Sequence, residues 1–258
     1  MQTSALKPML EVSLSERVLR LELNRPDRRN ALNMALCQAL VDEFARAEED
    51  PNVGAVLLTG RGLSFCAGMD LKEARHVEPE ALAHLHTKLF SVLERARKPI
   101  VAAIQGSAVA GGTGLAANAH VVFATHDAEF GLPEIRIGLW PVMIYQVVVQ
   151  AVGARRTMEW SLTGRRVTAL EAREAGLVTA LDDDPLTVAE AAAMTMAEFS
   201  SFTIHEGLDF AWNSRPLNAG GAAELGRTVR TRIMSHSDFH EGVQAFTEKR
   251  KPRWNKEP

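Results

Sequence analysis

Residues 17–23, RVLRLEL, alternate: Leu19, Leu21 and Leu23 fall on one side, Arg20 and Glu22 on the other. A period of two with one apolar face predicts a half-buried strand. The period then lengthens. Leu36, Leu40 and Phe44 recur every four residues within 33–48, the stripe of an amphipathic helix. Val53–Thr59 is a compact apolar run closed by Gly60 and reads as a second strand. Leu82, Leu85, Leu89 and Leu93 mark a helix over 79–97 that stops before Pro99. Ile100–Ile104 and His120–Ala124 are two further strands. Strands and helices therefore alternate through about residue 150, which predicts an α/β class.

The second half changes character. Thr168 and Glu171 fit a capping box and Gly176 a helix stop. The run 187–199 predicts a strong helix, and 237–251 a last helix with Phe239, Val243 and Phe246 facing inward. Neither a low-complexity linker nor a sequence repeat interrupts the chain. The expected organisation is a core over 1–195 and a helical region over 196–258.

Composition narrows the class of function. With 258 residues, 46% hydrophobic and 24% charged, the chain suits a soluble globular protein with one large core. A net charge of −3 removes the electrostatic case for general nucleic-acid binding. The local basic clusters, Arg25, Arg28 and Arg29 and then Lys249, Arg250, Lys251 and Arg253, read first as solvated surface. Cys37 and Cys66 make neither a disulfide framework nor a zinc site. No apolar run approaches the roughly 20 residues that span a bilayer, and the opening MQTSALKPML lacks a cleavage-like pattern. A cytoplasmic setting without membrane contact is expected. No metal site is expected either. His84 and His86 point to different sides of one helix, and His236 and His240, read as surface side chains, lack a third ligand.

Two glycine-containing turns are candidates for chemistry. QGSAVAGGTGLAANAH (105–120) places Gly106, Gly111, Gly112 and Gly114 between an apolar strand and a helix-like run, Leu115–Ala119. It has neither the GxGxxG spacing nor the GxxxxGK[ST] lysine of a phosphate loop. SFCAGMDLK (64–72) is a second small-residue turn after a buried strand. Two such turns after parallel strands can each offer one N–H to a single oxygen, which is an oxyanion hole. Ser107 and Thr113 stand within reach of a ligand, but no Ser–His–Asp order supports a nucleophile. No acid or base sits among the four glycines of the first turn.

The segments LNRPDRRNALN (23–33), VLLTGRGLSFCAGMDLKE (56–73), KPIVAAIQGSAVAGGTGLA (98–116), EFGLPEIRIGLWP (129–141), LTGRRVTALEAREAGLV (162–178) and FTEKRKP (246–252) together resemble the crotonase superfamily, the enoyl-CoA hydratase/isomerase group. The resemblance implies a ClpP/crotonase-like fold, a repeated β-β-α core with a helical C-terminal trimerisation region. It implies a homotrimer or a dimer of trimers, and an acyl-CoA thioester as substrate with no separate cofactor. It assigns the two oxyanion donors to the backbone of Met69 and Gly111. Ala67 and the run Asp70, Leu71 and Lys72 would shape the CoA site. Arg28, Arg29, Phe246 and Lys249 resemble residues near its phosphates and adenine.

Two departures from the family pattern bear on the reaction. Hydratases of the family use two glutamates; here the first position is Gly114 and only the second, Glu134, is present. Where hydratases carry a glycine-rich turn, this chain has Leu139, Trp140, Pro141, Val142 and Met143, so Gly114, Trp140, Val142 and Met143 are read as pocket residues of a dry site. His120 stands where the family often has aspartate and is read as structural. One base in an apolar pocket suits a 1,3-proton shift, so the expected reaction is Δ3–Δ2 enoyl-CoA isomerisation with Glu134 as base. The alternatives are a hydratase with an atypical second acid and a non-catalytic CoA- or RNA-binding protein of this fold.

Overall fold

In the computed structural model, which describes residues 7–254, six strands form one sheet in the order β1 (Leu10–Ser15), β2 (Val18–Leu23), β3 (Ala55–Gly60), β4 (Ile100–Ile104), β6 (Val121–Ala124) and β9 (Ala180–Leu181). Residues 1–6, part of the opening stretch that lacks a cleavage-like pattern, and 255–258 lie outside the described residues. β1 and β2 are an antiparallel hairpin turning at Glu16 and Arg17, both left-handed; all later pairings in this sheet are parallel. A three-stranded sheet beside it contains β5 (Ser107–Val109), β7 (Glu129–Gly131) and β8 (Val167–Thr168).

The continuous apolar runs of β3 and β4 follow from burial on both faces. Val56, Leu58, Ile100, Ala102 and Ile104 face a core shared with α1 (Met34–Glu49) and α3 (Pro79–Glu94). Ala55, Leu57, Val101 and Ala103 face α8 (Pro185–Ala197). That helix offers Ala189, Ala193 and Ala197 at spacing four, and small side chains let it lie close to the sheet. A Cβ on Gly54 would sit only 2.9 Å from the Ala197 Cα. Arg17 fastens the same corner by donating to the Ala197 carbonyl and to Ser201 Oγ, both at 3.0 Å. The division expected at residue 195 falls in the last turn of this sheet-bound helix.

Between the strands run α2 (Leu71–Ala74), α4 (Gly111–Asn118), α5 (Tyr145–Val152), α6 (Ala154–Thr163) and α7 (Ala169–Ala175). Thr168 Oγ1 caps α7 by accepting from the Glu171 N–H at 3.2 Å, and Gly176 ends it in the left-handed region. Glu171 does not complete the box, because its carboxylate pairs with Arg165.

The C-terminal region is α9 (Ser201–Asn213), α10 (Ala219–Ser235) and α11 (Ser237–Glu248). Here the inward assignment is corrected for Val243 and Phe246, while Phe239 is half-buried. Val243 is 53% and Phe246 86% exposed; the buried positions of α11 are Asp238 and Ala245. The helix is held by polar contacts at its start and just beyond its end. Asp238 takes the Ser200 hydroxyl at 2.5 Å, and the Trp254 indole N–H reaches the Glu198 carbonyl at 2.7 Å. Its apolar outer stripe is left uncovered. His236 is not a free surface side chain either: it is half-buried, its ring stacked on Phe202 with centroids 3.7 Å apart.

Candidate active site

The two turns lie at the C-terminal ends of β3 and β4, where ligands of parallel sheets sit. They are stitched together by a short backbone ladder. The Phe65 N–H donates to the Gln105 carbonyl at 2.9 Å, Cys66 N–H to Ser107 at 3.0 Å and Val109 N–H to Cys66 at 3.0 Å. The approach leaves no room for side chains. Gly68 is left-handed, and a Cβ there would lie 2.7 Å from the Ala110 Cβ. A Cβ on Gly112 would lie 2.2 Å from the Cys66 carbonyl oxygen, a backbone atom that cannot swing away. Gly112→Ala is therefore expected to lower stability by about 3 kcal/mol, the upper end for overpacking. Thermal denaturation of the purified variant checks this.

The ladder leaves two amides over. Around Met69, Leu32 N–H donates to the Gly68 carbonyl at 2.8 Å and Asp70 N–H to the Leu32 carbonyl at 2.9 Å. The Met69 N–H, between them, has no acceptor among the described residues. Gly111 is the first residue of α4, so its N–H has no partner within the helix. Ala110, just before it, has φ +53° and ψ −122°, a region that residues with a side chain rarely adopt and that costs about 1–3 kcal/mol. Its own N–H is pinned to the Gly131 carbonyl at 2.9 Å. The strain thus sits in the residue that sets the direction of the Gly111 amide. Thr113 is buried and bonds backbone only, donating to the Ala108 carbonyl at 2.7 Å and accepting from Gly131 N–H at 3.2 Å, so it is not aimed at a ligand.

Arg28, Arg29, Ala67, Met69, Asp70, Leu71 and Lys72 come together around one cleft of about 320 Å³. Asp70 serves its shape rather than offering a free charge. Its carboxylate caps α2 and pairs with Arg25 at 2.9 Å. Burial pushes its carboxyl up, and the Arg25 hydrogen bond with the Glu73 and Lys72 amides outweighs this, holding it below the ordinary value. Two residues without an assigned role in the sequence brace the segments that line the cleft. Arg25 is one. The other is Asn30, fully buried, which accepts from Arg25 N–H at 2.8 Å and donates to the carbonyls of Ser64 at 2.7 Å and Arg61 at 3.0 Å. Arg25 was visible only as one charge of a basic cluster, and nothing marked Asn30.

Glu134 reaches the same region from β7. That strand runs parallel to β5, with Val109 opposite Gly131, so the 3-10 turn Pro133–Ile137 emerges beside the Ala110–Gly111 bend. The turn closes on left-handed Gly138. Glu134 Oε2 is buried and has no hydrogen-bond partner among the described residues. Burial pushes its carboxyl from 4.5 up to about 7, against a small opposing pull from its own amide.

Gly114 lies one helical turn into α4, and the space beside it is filled. A Cβ there would meet Ile144 Cγ2 at 2.3 Å and Phe90 Cε1 at 3.0 Å, and both side chains are buried. Trp140 is half-buried, its ring centroid 6.2 Å from that of Tyr145, and Met143 Sδ lies 3.4 Å from Thr87 Oγ1. Val142, by contrast, is 64% exposed. Leu139 and Met143 are exposed as well, at 46% and 38%, so of the 139–144 run it is Ile144 that fills the space at Gly114.

A family described as enoyl-CoA hydratase/isomerase matches residues 13–257, nearly the entire chain. The chain belongs to the enoyl-CoA hydratase/isomerase family. It is 37% identical over 249 residues to the 2,3-dehydroadipyl-CoA hydratase of Escherichia coli, covering 94% of this chain and 97% of that one. Among solved structures it resembles an enoyl-CoA hydratase of Mycobacterium smegmatis, with a TM-score of 0.90, 32% identity and coverage of 96% and 99%. An enoyl-CoA hydratase of Bacillus anthracis gives a TM-score of 0.91 at 28% identity, covering 96% and 100%. These likenesses make the fold that of the crotonase superfamily.

Within this enoyl-CoA hydratase/isomerase family chain, the remaining candidates separate clearly. Phe246 and Lys249 sit on and just after α11 and do not line the cleft of their own protomer. His120 Nδ1 accepts from the Ile100 N–H at 2.9 Å, an anchor for β4. Desolvation around the ring, and then Arg215, push it down to about 4, so it stays neutral. Among the described residues no group of three or more His, Cys, Asp or Glu side chains is placed to hold a metal ion, and no helix is long and apolar enough to cross a membrane.

Proposed function

We propose that this protein interconverts 3-enoyl-CoA and 2-enoyl-CoA thioesters with Glu134 as the single acid–base group. The thioester carbonyl oxygen would sit between the Met69 and Gly111 N–H groups. Glu134 takes the proton from C2, and the electrons move through C1 to that oxygen, giving a dienolate. The protonated Glu134, its proton open to exchange with solvent during the life of the dienolate, then delivers a proton to C4, leaving the double bond between C2 and C3. Donors of this kind are typically worth about 3–4 kcal/mol each in the transition state. Arg28, Arg29 and Lys72 at the cleft would hold the CoA phosphates.

The observation that carries the reading is the occupied space at Gly114. Ile144 and Phe90 stand where a second carboxylate would project, so hydration lacks its second proton-handling group. A base held near pH 7 by burial is matched to a proton that must be both taken and returned. A second reading is hydration with Glu134 alone orienting the water. It is favoured by the names of the relatives, which are hydratases. The site residues on α11 bear on assembly: in a trimer, the exposed Phe246 and Lys249 would reach a neighbouring copy's cleft.

The test is turnover of matched 3-enoyl-CoA and 2-enoyl-CoA substrates in deuterated water. Rapid conversion of the 3-enoyl thioester, deuterium at C2 or C4 and little hydration are the expected results. Robust hydration of the 2-enoyl thioester would replace isomerisation with the second reading.

A further inference from the structure

We infer that His86 selects the acyl chain, favouring thioesters that carry a neutral oxygen, a hydroxyl or keto group, beyond the reacting carbons over plain hydrocarbon chains of equal length. The inference rests on the acyl-CoA reading above and deepens it.

His86 lies on the buried stripe of α3, one turn before Phe90. Phe90 is the side chain that stands 3.0 Å from a Cβ on Gly114 and 3.7 Å from one on Gly111, so this face of α3 walls the oxyanion helix. The next residue, Thr87, touches Met143 of the apolar 139–144 run. His86 is only 9% exposed, and its Nε2 is buried without a hydrogen-bond partner. A leucine would fill such a position at no polar cost, as Leu82, Leu85, Leu89 and Leu93 do on the same stripe. An orphaned imidazole nitrogen on the helix face that packs against α4 is instead a group awaiting a partner.

The nature of that partner follows from charge. Burial depresses the His86 imidazole below its ordinary value, and no neighbouring charge offsets this, so it is neutral near pH 7. A carboxylate brought there would lose its hydration against an uncharged wall. A hydroxyl both donates and accepts, so it satisfies either tautomer. A site built around a buried polar group also rejects the analogue that lacks its partner, because the group is then left unpaired.

The experiment uses freshly prepared saturated thioesters, which carry no double bond to isomerise or hydrate, so it does not depend on which of those reactions the protein performs. Binding of hexanoyl-CoA, of 4-, 5- and 6-hydroxyhexanoyl-CoA and of adipoyl-CoA is measured by calorimetry for wild type, His86→Leu and His86→Gln. At least one hydroxy thioester is expected to bind wild type ten-fold or more tightly than hexanoyl-CoA. His86→Leu should abolish or reverse that preference, and His86→Gln should keep part of it. A merely structural role for His86 would weaken all thioesters together and leave the ratios unmoved, which overturns the inference. So does tightest binding of adipoyl-CoA. Should His86→Leu fail to fold, equal affinities in wild type alone have the same force. Absence of binding by every thioester would remove the acyl-CoA reading itself, and this inference with it.

Discussion

Glu134→Gln is expected to lower turnover of the enoyl thioester by about 10²–10⁴-fold while leaving CoA binding in place, the range for a lost general base. In the proposed reaction this carboxylate, on the turn after β7, is the acid–base group, and Gln keeps its size without its basicity. Wild type should lose rate about ten-fold per pH unit below about 7, where the carboxyl is protonated, and level off above it. The residual rate of the variant should show no such limb. The same burial has a stability consequence of definite sign. A carboxyl raised from 4.5 to about 7 on folding keeps its proton more firmly in the native state. Its contribution to stability is complete below pH 4.5 and is lost as pH rises through about 7. Glu134→Gln should therefore melt higher than wild type at pH 8, by about 1–2 kcal/mol once screening of a partly exposed group is counted. A variant that is inactive yet more stable marks a residue kept for chemistry. Unchanged turnover would eliminate Glu134 as the base.

Gly114→Glu, which restores the carboxylate position of the two-glutamate hydratases, is expected to lose stability rather than gain hydratase activity. Its Cβ would arrive 2.3 Å from Ile144 Cγ2 and 2.9 Å from Ile144 Cβ. Replacing a helical glycine usually gains up to about 1 kcal/mol, but overpacking of this kind costs about 1–3 kcal/mol, and the new charge lies against Phe90 and Ile144. The paired change Gly114→Glu with Ile144→Ala opens the space. It should recover most of the melting temperature and raise hydration relative to isomerisation. Melting curves and the ratio of the two products on one substrate read both effects. A stable, fully active Gly114→Glu protein would mean that Ile144 moves freely, and the single-base reading would lose its main support.

The alternation at Leu19, Leu21 and Leu23 and the four-residue stripes of α1 and α3 were legible because one face of each is buried against a long partner. β5, β7, β8 and β9, of two or three residues, are too short to carry a period. The pairing of two of them, β5 with β7, nonetheless sets the Glu134 turn beside the Ala110–Gly111 bend. The segment resemblance pointed to Met69 and Gly111 and to residues that the structure brings around one cleft, since that backbone geometry needs glycine and small residues nearby. It could not find Ile144, whose role is to fill a space defined by a residue thirty positions earlier, nor Asn30, whose partners are backbone carbonyls with no side-chain signature. Phe246 misled for a different reason. An apolar residue at helical spacing predicts burial, but not against which molecule.

The ladder that joins Cys66 to Ser107 and Val109 makes the Met69 and Gly111 amides, the proposed oxyanion donors, parts of one body. A shift of one turn drags the other, so the separation between the donors is preserved under any motion that keeps the ladder. Glu134, His86 and Ile144 belong to separate pieces of chain attached around that body. Such a molecule divides the labour of change: the element common to every thioester reaction is welded, while the walls that decide which proton moves and which chain enters can be exchanged one at a time.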